Sequence, residues 1–232
     1  MTFSRFVFYC FLLLTAAYAA LTYHPDALFT NVYSYGSITL RSRAPLNESA
    51  RAMVSRINEK VSGGDFSAPG QKFEVYFPAS GYLYALLTPF CGKSFSCLQT
   101  VTGKIFVASA DFEKNLAADP GGAEEPRLLE NVITHEIIKA QVKNKVGGLT
   151  YLLLPEMKKE GYAEHMTLET AELQPAEICK PNAKRATLLR YLAQRLELEL
   201  LQFESDATYP SILKTEKADE TAMKRLRQKY CN

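Results

Sequence analysis

Three neighbouring polar residues on a helix with apolar side chains on all its sides constrain this chain more than any other feature. The pattern over residues 128–146 predicts one helix that carries His135, Glu136 and Lys139. The apolar residues of that helix occur on all its sides: Leu129, Val132, Ile133, Ile137 and Ala140. Because a helix that is apolar all round is normally buried, its polar side chains need hydrogen-bonded partners in the interior.

The frame His135-Glu136-Ile137-Ile138-Lys139 differs by one residue from the zinc-binding pattern HExxH. In HExxH, two histidines at i and i+4 share one helix face and bind the same Zn²⁺. The glutamate after the first histidine acts as the general base on the bound water. Here the first ligand and the base are present, and a lysine replaces the second histidine.

Downstream, the chain reads PEMKKEGYAEHM. With the His-Glu frame, this segment resembles the gluzincin metallopeptidases, and most of all a bacterial group of secreted or membrane-attached proteins with a THExxH…LPxWxxEGYxEY pattern. The resemblance covers residues 104–166. Glu160 falls on the third-ligand position and Glu164 on the following acidic position. Met157 stands where the pattern has Trp, and His165 stands where it has Tyr.

The resemblance implies a zinc cofactor held by His135 and Glu160, with Glu136 as the catalytic base. It also implies a single zincin-like α+β domain, in which an edge strand above the cleft can hold an extended peptide. In gluzincins a Tyr or His beyond the third ligand steadies the oxyanion. Tyr191 and Tyr209 are candidates for that role, and neither is assigned.

Lys139 argues that zinc has been lost. A lysine ligates a metal only as the neutral amine, and keeping it neutral near pH 7 costs about 4–5 kcal/mol. The simpler prediction is a metal-free pseudo-site in which the Lys139 ammonium stands between Glu136 and Glu160, with Glu164 in the same acidic set, because gathered carboxylates need compensation. Two alternatives stay open: an altered zinc site using His135, Glu160 and water or another donor, and an accidental resemblance.

The N-terminus has the features of an export segment. Arg5 precedes an apolar run over residues 6–21, and Ala17-Tyr18-Ala19 is an A-x-A cleavage pattern. Residues 1–20 are therefore predicted to be a signal peptide or an uncleaved N-terminal anchor. The body, residues 25–232, is expected outside the cytoplasm, either periplasmic or secreted, or attached to the membrane through this segment.

Cysteine usage fits an oxidising compartment. Cys10 lies in the export segment, which leaves an even number of cysteines in the body. Cys91 and Cys97 enclose a short loop and are predicted to form a local disulfide. Cys179 and Cys231 are predicted to tie the C-terminal tail to the body. Free buried thiols are the alternative for both pairs.

Alternation and helical spacing elsewhere predict an α+β domain with a small twisted sheet first, then the motif helices and a long C-terminal helix. Strands are expected at residues 37–43, 72–78, 82–88 and 103–109. Helices are expected at residues 47–61, 128–146, 155–173 and 183–204, with a solvated helical tail at 214–230. Residues 116–127 are expected to form a loop.

Composition narrows the class of partner. The net charge of +2 argues against nucleic-acid binding, and the 47% hydrophobic and 22% charged content is that of a globular protein.

Three functions stay open: a degenerate metallopeptidase-like protein that binds a peptide or protein, an active zinc peptidase with an altered ligand set, and a structural envelope protein.

Overall fold

The computed structural model describes residues 3–92, 94–214 and 221–231 as a mixed α+β fold. The strands are β1 Asn31–Tyr35, β2 Ile38–Ser42, β3 Phe73–Phe77, β4 Ser96–Leu98, β5 Ile105–Val107, β6 Ala110–Asp111, β7 Leu116–Ala117 and β8 Arg127–Leu128. The α-helices are α1 Phe3–Tyr23, α2 Glu48–Ser62, α3 Gly81–Leu87, α4 Leu129–Val146, α5 Gly148–Leu153, α6 Tyr162–Thr167, α7 Ala186–Ser205, α8 Tyr209–Ile212 and α9 Ala222–Tyr230. Single turns of 3-10 helix cover Pro25–Leu28, Pro175–Cys179 and Ala183–Arg185, and a π-helical turn covers Met157–Gly161.

The larger sheet has the strand order β1-β2-β3-β5-β4. Its inner strands β2, β3 and β5 are parallel, while β1 and β4 pair antiparallel at the two edges. The smaller sheet has the order β6-β7-β8 and is antiparallel. The larger sheet therefore ends at β4, which packs against α4.

Alternate residues of the central strands belong to different cores. Val75 of β3 and Ile105 of β5 are fully buried in the main core, which also contains residues of α2 and α4. Tyr76 and Phe106 belong to a second core, together with Tyr84 of α3. Because both faces of the sheet are covered, β5 needs no polar face, which explains its apolar sequence. β3 has one charged residue, Glu74, which pairs with Arg41 of β2.

The strand predicted at residues 82–88 is wrong, because this segment forms helix α3. The Ser80 side chain accepts a hydrogen bond from the Leu83 amide and so caps the helix. Tyr84 and Leu87, three residues apart, are buried, whereas Tyr82 is exposed. The sequence YLYALLT suits either a short strand or one buried helix face, and the serine cap was the overlooked signal.

The remaining sheet elements differ from prediction in length. The predicted strand 72–78 is confirmed as β3, 37–43 as β2 and 103–109 as the shorter β5. β1 was not expected as a separate strand. The predicted loop 116–127 is wrong at both ends, since β7 and β8 pair with each other there.

The predicted helices are confirmed with shifted ends. α2 starts after Asn47, which accepts a hydrogen bond from the Ala50 amide. The predicted helix 155–173 is shorter than expected, because α6 ends where Leu168 adopts a positive φ of 52°. α7 begins at Ala186, after a 3-10 turn. The predicted tail 214–230 contains α9, and residues 215–220 lie outside the described part of the chain.

The N-terminal helix and the cysteines agree with the export prediction at the coarse level. Within α1, Arg5–Tyr23 is long and apolar enough to cross a membrane, and its most apolar window is not buried in the body. Disulfides join Cys91 to Cys97 and Cys179 to Cys231, which confirms both predicted pairings. These features are consistent with export or membrane anchoring.

Candidate functional site

Helix α4 carries three of the predicted site residues into the interior. His135 and Glu136 are 1% and 2% exposed, and the side chain of Lys139 is 13% exposed. Glu136 and Lys139 are three residues apart, so they lie on one side of the helix. The charged groups therefore face each other inside the protein and are not solvated surface charges.

Glu160 reaches the same place from the π-helical turn Met157–Gly161, which precedes α6. The next residue, Gly161, lies against the backbone of α7. A Cβ atom built on Gly161 would be 2.5 Å from the Gln194 carbonyl oxygen. Only glycine permits this approach, and the close packing against α7 holds Glu160 beside α4.

Four side chains, those of His135, Glu136, Lys139 and Glu160, form one connected group that we call the buried cluster. Lys139 Nζ lies 2.7 Å from Glu160 Oε1 and 3.3 Å from Glu136 Oε1. His135 Nε2 lies 2.7 Å from Glu160 Oε2. Glu160 thus binds the lysine through one oxygen and the histidine through the other.

Electrostatics keep both members of the central pair charged. Burial acts to lower the pKa of Lys139, but Glu136 and Glu160 outweigh it and raise that pKa well above its ordinary value. Burial acts to raise the pKa of Glu160, but Lys139 and the His135 hydrogen bond hold it well below its ordinary value. Lys139 is therefore an ammonium ion and not a neutral amine able to bind a metal.

Two residues that the motif does not contain complete the surroundings. Ser96 of β4 donates a hydrogen bond of 2.8 Å to Glu136 Oε1. The Tyr191 ring stacks on the His135 ring, with 4.4 Å between centroids and 19° between planes. Ser96 carries no recognisable signal in the sequence. Tyr191 was a candidate for the oxyanion role and instead packs against the imidazole.

Three other sequence candidates lie outside the cluster. Glu164, predicted to belong to the pseudo-site, instead accepts hydrogen bonds from the Thr170 amide and the Thr167 hydroxyl. These bonds stabilise the turn after α6 and engage Glu164 away from the buried cluster. His165 is partly exposed and lies 3.3 Å from Glu199. The Tyr209 hydroxyl donates to the Lys158 carbonyl.

The donor set does not fit a catalytic zinc ion. Such a site needs three protein ligands and an open position for water. Here His135 Nε2 and Glu160 bind each other, and Lys139 places a positive charge beside them. Within residues 3–92, 94–214 and 221–231, no three His, Cys, Asp or Glu side chains form a group able to hold a metal ion.

Two polar atoms of the buried cluster remain without a partner. His135 Nδ1 and Glu136 Oε2 are buried and make no hydrogen bond to any residue that the structure describes. Unpaired buried polar atoms are uncommon in folded proteins, because each loses its hydration without replacement. The cluster therefore compensates its charges without satisfying all of its hydrogen-bonding atoms.

Comparison with known proteins gives no relative. No protein-family model matches this chain, and neither a curated protein nor a solved structure matches it. The gluzincin resemblance therefore rests on the motif residues alone, and what the structure adds is their geometry.

Proposed function

We propose that this chain is an exported, gluzincin-like protein without hydrolytic activity, in which the Lys139 ammonium takes the place of the catalytic zinc ion. The observation that carries the proposal is the position of Lys139 Nζ, within 3.3 Å of Glu136 and 2.7 Å of Glu160. These two carboxylates occupy the base and third-ligand positions of the resembled motif.

Charge compensation explains why a lysine is acceptable at this position. Carboxylates gathered around a dication repel each other once the ion is gone, and buried unpaired charges are costly. Lys139 supplies a permanent positive charge from the second-ligand position, one helical turn after His135. The substitution both removes a metal ligand and stabilises the acidic pocket without a metal.

The state of Glu136 supports the loss of catalysis. As a general base, this carboxylate would have to reach a water molecule beside the substrate. Instead, its Oε1 atom accepts hydrogen bonds from Ser96 and Lys139. Because Glu136 is 2% exposed, a substrate has little access to it.

The same burial favours a vestigial cleft over peptide binding at the old site. β4 occupies the sheet edge where a peptide could add as a strand, yet all three of its residues are buried. We therefore propose that any peptide or protein partner binds to another surface. Either retention of α1 or its removal as a signal peptide fits this proposal.

Metal content is the decisive measurement. We expect the wild-type protein, purified without chelator, to contain far less than one zinc per chain and to lack peptidase activity on casein. Lys139→His should bind zinc stoichiometrically, because the new imidazole joins His135 and Glu160 as a third ligand. The matched control, Lys143→His, makes the same change one turn later on α4 and should bind no zinc.

Two results would contradict the proposal in different ways. Stoichiometric zinc in the wild-type protein that is lost in Glu160→Ala would show an active site with an altered ligand set. A folded Lys139→His variant that binds no zinc would show that the inferred motif geometry is wrong.

A further inference from the structure

A groove of about 830 Å³ lies in the C-terminal part of the molecule, between α7, α9 and the segment that joins the turn Pro175–Cys179 to α7. Its lining includes Lys180, Ala186, Leu189, Arg190, Met223 and Arg227. No residue of the buried cluster lines it, so ligand binding in this groove is independent of the proposed function.

Small side chains on α7 make this groove. Ala186, Leu189 and Ala193 line it, and their spacing of three and four residues places them on one helix face. The two alanines leave room that larger side chains would fill. The Cys179–Cys231 disulfide, whose Cα atoms are 5.5 Å apart, covalently joins the two sides. The disulfide therefore holds the two sides of the groove together.

The charged residues that line the groove are all positive: Lys180, Arg190 and Arg227. All three are exposed, and none forms an ion pair with any residue in the described part of the chain. They come from three different elements, namely the loop after the turn Pro175–Cys179, α7 and α9. Positive charge is thus spread around an apolar floor.

Three carboxylates on or beside these elements pair with other cations. The ion pairs are Glu177 with Arg185 at 3.8 Å, Glu199 with Arg195 at 3.6 Å, and Glu204 with Arg225 at 2.8 Å. Among the residues that the structure describes, no carboxylate is ion-paired with Lys180, Arg190 or Arg227. An anionic ligand would therefore meet attraction without competition from these carboxylates.

We propose that this groove binds a short acidic peptide segment whose apolar side chains enter between α7 and α9. Leu189 and Met223 provide the apolar contact, and methionine adapts readily to different ligand shapes. Lys180, Arg190 and Arg227 pair with the peptide carboxylates. A single-headed anionic lipid fits less well, because its charge is gathered at one end while the three cations lie on separate elements.

The test uses the full chain and a fluorescein-labelled peptide of alternating leucine and glutamate, followed by fluorescence anisotropy. We expect saturable binding that weakens with added salt, and no binding of the matching leucine–lysine peptide. The double variant Arg190→Glu/Arg227→Glu should bind about tenfold more weakly, because each reversal replaces attraction with repulsion.

A matched control separates the groove from overall charge. Lys224→Glu/Lys229→Glu makes the same change of net charge on two exposed residues of α9 that do not line the groove, and it should bind within about twofold of wild type. Circular dichroism and thermal unfolding check that the variants fold, and Arg190→Gln/Arg227→Gln gives a milder test.

Three outcomes would overturn the inference: no saturable binding of the acidic peptide, equal losses in the control and in Arg190→Glu/Arg227→Glu, or binding to phosphatidylglycerol vesicles without binding to the peptide.

Discussion

Tyr191 contacts two buried groups of ionisable side chains: the Arg127–Glu169 ion pair, through Arg127, and the buried cluster, through His135. Arg127 donates two hydrogen bonds to Glu169, and its guanidinium lies 4.9 Å from the Tyr191 ring centroid. In the buried cluster, the single ammonium group of Lys139 is shared between the carboxylates of Glu136 and Glu160. A planar guanidinium matches one carboxylate in a fixed geometry, whereas a lysine is a point charge that several oxygens can share.

The two groups differ in how completely their polar atoms are paired. Arg127 and Glu169 satisfy each other one to one, and their side chains are 2% and 7% exposed. The buried cluster instead keeps His135 Nδ1 and Glu136 Oε2 without partners in the described part of the chain. Unpaired polar atoms of this kind are expected where a lysine ammonium replaces a zinc ion of different shape and coordination, which agrees with the proposed function.

The largest effect is expected from breaking the one-to-one pair. Arg127→Met should lower the free energy of unfolding by about 3–5 kcal/mol, because Glu169 keeps a buried charge with both hydrogen bonds lost. Urea unfolding followed by circular dichroism measures this change. A loss below about 1 kcal/mol would show that Glu169 finds water or another partner, and the contrast between the two buried groups would fail.

Lys139→Met should cost less, about 2–3 kcal/mol, since His135 still binds Glu160 and Ser96 still binds Glu136. Urea unfolding again provides the measurement. Lys143→Met is the control on the same helix: this half-buried lysine has a pKa lowered by burial, so losing its charge should be neutral or slightly stabilising. A Lys139 loss as large as that of Arg127→Met would remove the distinction between the two groups.

The ion pair between Lys139 and Glu160 should make the free energy of unfolding depend on pH in a specific way. The lowered pKa of Glu160 means that its contribution is present above the ordinary carboxyl value of 4.5 and is lost as pH falls through the lowered pKa. The raised pKa of Lys139 means that its contribution is present below 10.5 and is lost as pH rises through the raised pKa. Between these limits the contribution should be constant.

Unfolding free energies measured from about pH 3 to pH 11 would test this dependence. The difference between wild type and Lys139→Met should be level from about pH 5 to pH 10 and shrink below that window. A difference that instead grows as the solution becomes acidic would mean that Lys139 does not hold Glu160 ionised.

Local sequence signals predicted much of the fold. The Asn47 cap and the glycines after α2, the alternation in β3 and the apolar spacing in α7 all point to the elements that form. Apolar patterns failed at α3, where seven residues fit two kinds of element, and the Ser80 cap with the buried contacts of Tyr84 selects the helix. They also failed at β7 and β8, which are too short to carry a pattern.

The candidate site was predictable in part. The spacing of His135, Glu136 and Lys139 identified one helix face, and the resemblance pointed to Glu160. Ser96 could not have been found, because its hydrogen bond to Glu136 spans 40 residues of sequence. Glu164 was misplaced because α6 ends early, at the left-handed residue Leu168, and the following turn brings the Thr170 amide to the Glu164 carboxylate.

The sequence by itself determined that His135, Glu136 and Lys139 would be buried, because they lie on a helix with apolar residues on all its sides. It also predicted the two cysteine pairs, which the structure contains, and the apolar N-terminal segment. Only the tertiary structure decided which charges meet, since hydrogen bonds form between atoms within about 3 Å whatever their separation along the chain. Tertiary packing brought Glu160 to Lys139, left Glu164 with Thr170, and placed three cations around a groove that no local pattern predicts.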